Sequence, residues 1–138
     1  MTIRFEKILV PLDGSKNSLK ALETAVHIAS ENEASLTAIH VIHTLSEKRG
    51  SKQKVGEEEV PPSFILQAKK LAMKNKIPFS IRVLTGDPGH AITEYANTHG
   101  TDLIVIGARG RSLFKTIFLG SVSSYVLHKS KTPVMLIK

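Results

Sequence analysis

Four residues in the last third of the chain have the types and spacing to grip an anion: Gly107, Gly110, Gly120 and Ser121. They follow the apolar run Leu103–Ile106. A glycine directly after such a run lets the chain turn sharply and lets a ligand approach the backbone. A second glycine, Gly110, frees consecutive N–H groups to form a concave nest. Gly120 and Ser121 stand where a helix should begin, placing unpaired N–H groups and a hydroxyl at the positive end of a helix dipole. Phosphate oxygens are the natural guests. Arg109 lies inside the loop, and Arg111 and Lys115 follow it, raising the local positive potential. Asp13 closes another apolar run just before Gly14. There it can cap a turn, accept a hydrogen bond from a ligand directly or through a metal, or do both. Two familiar phosphate loops are excluded. No G-x-G-x-x-G surrounds these glycines, no G-x-x-x-x-G-K-[ST] occurs, and Gly14-Ser15-Lys16 has only the tail of the second pattern.

These groups must be held by a scaffold, and hydropathy supplies one. Ile8–Leu12, Leu103–Ile106 and Val134–Ile137 are short, β-branched, continuously apolar runs closed by Gly, Pro or Asp, as expected of strands buried on both faces. Leu36–Ile42 and Phe79–Leu84 read as more polar strands. Between them the period becomes helical. Leu19, Leu22, Val26 and Ala29 mark a helix over Lys16–Glu31, and Ile65, Ala68, Leu71 and Ala72 mark another over Ser63–Asn75. Asp87 is an N-cap followed by Pro88 at the first helical position, with Ala91, Ile92, Tyr95 and Ala96 on one face. A last helix is expected over Ser121–Ser130. Strict alternation of strand and helix implies an α/β fold: a five-stranded parallel sheet with helices on both faces. Ligands bind such sheets beyond the carboxyl ends of the strands, where the strand order reverses, so the places to look are after Leu12, Ile42 and Ile106.

All 138 residues fit one domain. Residues 44–62 form a charged connection, lysines and arginine first and three glutamates after, expected as a mobile surface link. The absence of cysteine rules out a disulfide scaffold, a thiol nucleophile and a thiolate zinc site. His40 and His43 would point to opposite faces of a strand and the remaining histidines are scattered, so no side-chain metal site is expected. A divalent cation, Mg²⁺ or Mn²⁺, would instead ride on bound phosphates. The net charge of +7 invites an anionic partner. Only 5% of residues are aromatic and the basic ones are spread out, which disfavours nucleic acid. No apolar run approaches the roughly 18 residues of a membrane span, nor is there a secretory leader, so the expected location is the cytoplasm. No nucleophile elbow or positioned base stands out, and at most slow hydrolysis of a bound polyphosphate is expected. Val134–Lys138, if at the sheet edge, would invite a second copy to pair antiparallel.

The spacing Gly107-x2-Gly110-x9-Gly120-Ser121 resembles the universal stress protein family, whose nucleotide-binding members carry G-x2-G-x9-G-[ST]. At about 7% glycine per position, such a pattern arises by chance in under about 1% of chains this long. The resemblance extends to Ile8-Leu-Val-Pro11-Leu-Asp13-Gly14-Ser15, His40-Val41-Ile42, Gly86-Asp87-Pro88 and Thr132-Pro133-Val134, leaving 44–62 without a counterpart. It implies an open α/β sandwich of the Rossmann-like, adenine nucleotide alpha hydrolase-like kind that binds ATP, forms homodimers and serves stress responses in the cytoplasm. Carried onto matching positions, Pro11, Leu12 and Asp13 would face the nucleoside, and Val41 would offer backbone contacts to adenine. Gly107, Arg109 and Gly110 would wrap ribose and phosphates, while Gly120, Ser121, Val122 and Ser123 would hold the phosphate tail. The implied role is a nucleotide-responsive regulator; the alternative is a dimeric interaction protein with a vestigial nucleotide site.

Overall fold

The computed structural model describes residues 4–43, 62–108 and 120–138. Within them the apolar runs become β1 (Lys7–Pro11), β2 (Ser35–His43), β3 (Phe79–Gly86), β4 (Leu103–Gly107) and β5 (Val134–Ile137). The helical periods become α1 (Lys16–Asn32), α2 (Ser63–Lys74), α3 (Pro88–Thr98) and α4 (Ser121–Lys129). Local chemistry sets several of these boundaries. The Ser15 hydroxyl caps α1 by accepting the Ser18 N–H, and the Asp87 carboxylate caps α3 by accepting the His90 N–H, with Pro88 following as expected.

The five strands are parallel, in the order β3-β2-β1-β4-β5. Side chains alternate between two cores. Ile8, Val10, Leu36, Ala38, Leu103 and Val105 pack beneath α1 and α2. Leu9, Ile39, Ile104 and Ile106 pack against α3 and α4. Two crossovers carry the chain outward from β1 to β3 over one face. The third returns it across the sheet to β4, and the fourth continues to β5 over the other face. Strand order therefore reverses between β1 and β4, and a ligand crevice is expected beyond their carboxyl ends.

One burial expectation fails. Val134–Ile137 reads as a strand covered on both faces, but β5 lies at the sheet edge and Met135 is 36% exposed. Val134 and Leu136 pack inward, while Met135 on the opposite face has little over it. Apart from Pro62, which immediately precedes α2, the connection at 44–62 lies outside the described residues. Among the described residues, no helix is long and apolar enough to cross a membrane.

Candidate functional site

A cavity of about 220 Å³ opens at the reversal point. One wall is the turn after β1. Pro11 and Leu12 end the strand, and Gly14 turns the chain with a left-handed φ of +86°, where the Phe64 ring also leaves no room for a Cβ. The Asp13 carboxylate accepts the Ser15 N–H at 2.9 Å, so its turn role is realised through one oxygen. Among the described residues nothing bonds the other oxygen. Ser15 and Ser18 also line the cavity. The Ser18 hydroxyl donates to the Ser15 carbonyl (3.0 Å) and accepts the Asp13 N–H (3.3 Å), which locks the turn to α1.

The opposite wall is the end of β4 and the start of α4. Gly107 lines the cavity but does not turn the chain, contrary to expectation. It remains paired with Ile137 in the sheet. A Cβ on it would meet the backbone carbon of Asn17 at 2.8 Å, so glycine is needed here for α1 to pack on β4. Gly120 caps α4, but its own N–H donates to the Ala108 carbonyl at 2.8 Å and is not available to an anion. The hydroxyl of Ser123 is likewise committed: it donates to Ala108 O at 2.7 Å and is shared with Gly120 O at 3.2 Å. Since carbonyls only accept, Ser123 offers a ligand its backbone N–H rather than its hydroxyl proton. What α4 does present is the first-turn amides of Ser121, Val122 and Ser123, which have no intrahelical partners, together with the exposed Ser121.

Apolar side chains complete the cavity: Ile39 and Val41 from β2, Pro88 and Ile92 from α3, and Ile106 from β4. Val41 is informative through its backbone. In β2 the odd-numbered residues turn their N–H and C=O toward β1: Ser35 N–H bonds Glu6 O, and Leu12 N–H bonds Ile39 O. Paired strand stops at Pro11 opposite Ile39. The N–H and C=O of Val41 therefore point past the end of β1 into the cleft, and among the described residues neither has a backbone partner outside β2.

The structure thus gathers nine of the anticipated residues around one cavity: Pro11, Leu12, Asp13, Val41, Gly107, Gly120, Ser121, Val122 and Ser123. Arg109, Gly110, Arg111 and Lys115 lie outside the described residues. Missed in the sequence were Ser15, Ser18, Ile39, Pro88, Ile92 and Ile106. Of these, Ser15 and Pro88 had a signal, since both begin helices whose N-termini lie at the carboxyl ends of strands. Among the described residues no group of three metal-ligating side chains occurs.

Residues 4–138 match the model of the Universal stress protein family. The chain is 34% identical to universal stress protein YxiE of Bacillus subtilis (strain 168), over 97% of this chain and 99% of the relative. Its fold superposes with a TM-score of 0.81 on the solved structure of hypothetical protein MJ0577 of Methanocaldococcus jannaschii, at 25% identity, covering 99% and 97% of the two chains. A universal stress protein crystallised in complex with cAMP matches with a TM-score of 0.74 at 26% identity, covering 99% and 98%.

Proposed function

The chain belongs to the universal stress protein family, and on that premise we propose that it is an ATP-binding module that regulates by responding to the nucleotide. The observation carrying this is one cavity at the strand reversal with two chemically different walls, as a nucleotide would require. Apolar side chains and the open Val41 backbone stand on one side, with the first-turn amides of α4 on the other. The solved relative holding cAMP supports an adenine nucleotide as the class of guest.

In this arrangement the base lies among Ile39, Val41, Ile92 and Ile106, and the phosphates meet the amides of Ser121, Val122 and Ser123 and the Ser121 hydroxyl. Helix dipole and unpaired N–H groups favour negative charge there. Arg109 and Gly110 complete the phosphate grip. The uncommitted Asp13 oxygen accepts from the ribose or holds a Mg²⁺ or Mn²⁺ ion carried by the phosphates. The module binds rather than efficiently hydrolyses, and it acts in the cytoplasm. Dimerisation through β5 is part of the proposal, supported by that strand's edge position and by exposed Met135.

Thermal unfolding with and without Mg-ATP tests the site. A ligand at a hundredfold excess over its Kd raises stability by about 2.7 kcal/mol. Ser121→Glu separates binding from folding. A glutamate in the first turn of α4 favours the helix by about 0.3–1 kcal/mol, while repelling the phosphates. The variant is expected to unfold no earlier than wild type yet to lose most of the ATP-induced shift. No shift in the wild-type protein at millimolar Mg-ATP would leave the vestigial site as the better account.

A further inference from the structure

The β1·β2 ladder stops one rung short of where its register would carry it. Leu12 N–H still bonds Ile39 O at 2.9 Å, as a continuing parallel ladder requires. The next rung would be Val41 N–H to Leu12 O, following Ser35 N–H to Glu6 O earlier in the same strand pair. That rung is not made. The Leu12 carbonyl lies 2.9 Å from Nδ1 of His40, on the residue preceding Val41. A carbonyl can only accept, so the imidazole carries its proton on Nδ1 and donates it there. The Phe64 ring of α2 meets the imidazole edge-on at 5.2 Å and covers Gly14, fixing the ring against the turn it bonds.

We propose that His40 is a positioning residue of the nucleotide site: by bonding the Leu12 carbonyl it holds that group off the line of the next rung, ends the ladder one rung early and leaves the Val41 N–H and C=O open to read the edge of an adenine. The pair is one donor and one acceptor on the same residue. Adenine offers the complement, N1 as acceptor and the N6 amino group as donor. Guanine offers the reverse at the same edge, a protonated N1 and an O6 acceptor. A buried backbone pair left facing the wrong groups rejects the wrong base. This role presupposes the adenine nucleotide proposed above, but the ladder stop itself does not.

Two substitutions separate the possibilities. His40→Leu removes the donor and keeps an apolar side chain under Phe64. His40→Asn places an amide N–H, also carried on Cγ, where Nδ1–H stood. Two readouts are taken: amide hydrogen exchange at Val41 without ligand, and ATP and GTP binding by calorimetry. In His40→Leu, Val41 N–H should pair with Leu12 O, its exchange should slow about tenfold, and ATP affinity should fall about tenfold with a shrunken preference over GTP. His40→Asn should restore both. Unchanged Val41 exchange and ATP affinity in His40→Leu would overturn the proposal, as would loss of protection across the whole sheet in both variants, which marks a merely structural histidine. If wild type takes no ATP but Val41 exchange still slows in His40→Leu and recovers in His40→Asn, the ladder stop stands and the nucleotide assignment falls.

Discussion

Ser121 and Ser123 begin the same helix, yet their hydroxyls have different fates. Ser121 is exposed, whereas Ser123 is 3% exposed and donates to the carbonyl of Ala108. Ser123→Ala should therefore cost stability, about 0.5–1.5 kcal/mol for the lost bond, measured by urea denaturation. ATP affinity should stay within a few-fold, because the Ser123 amide remains. A large affinity loss at unchanged stability would return the hydroxyl to the ligand. The family resemblance assigned both serines to the phosphate tail, and for Ser121 residue type and helix position, which are local properties, pointed the same way. What commits Ser123 is a carbonyl on another element, fifteen residues earlier. Gly107 repeats the lesson: glycine after an apolar run signalled a turn, but the group that excludes a side chain there is the backbone of Asn17.

At the scale of elements the sequence was far more legible. The four helices begin where the sequence placed them, α3 on the strength of its cap and proline, and the five strands lie on the expected apolar runs, because each signal is contained within a few neighbouring residues. Two features were not contained in that way. The half-exposure of β5 follows from its place at the sheet edge, which hydropathy within four residues does not encode. The openness of Val41 is likewise non-local, since it depends on β1 ending opposite Ile39 and on the Leu12 carbonyl that His40 bonds. The contact of α1 with β4 makes an element-scale prediction. Gly107→Ala drives a Cβ against the first turn of α1 and should destabilise by about 1–3 kcal/mol through overpacking, lowering Tm and ATP affinity together. An unchanged Tm would mean that α1 yields without cost and that Gly107 is not a packing residue.

Over the whole molecule, two helical layers meet along one sheet, and the cavity lies where they part company, between β1 and β4. Four of the five strands contribute to its surroundings or to the turns that begin the helices lining it, so the fold, and with it the place where a cavity opens, was legible once strict alternation of strand and helix was recognised. The excess of basic residues, +7 overall, favours approach of a polyphosphate without choosing its place. The proposed place rests instead on geometry: helix N-termini at the carboxyl ends of the strands, and a Val41 backbone pair that is open among the described residues. The most direct measurement is a titration of the isotope-labelled full chain with Mg-ATP followed by amide chemical shifts. We expect saturation at one nucleotide per chain, with the largest changes at Val41, Ser121, Val122 and Ser123. Saturation centred on other residues, or no change at millimolar nucleotide, would contradict the assignment of this cavity.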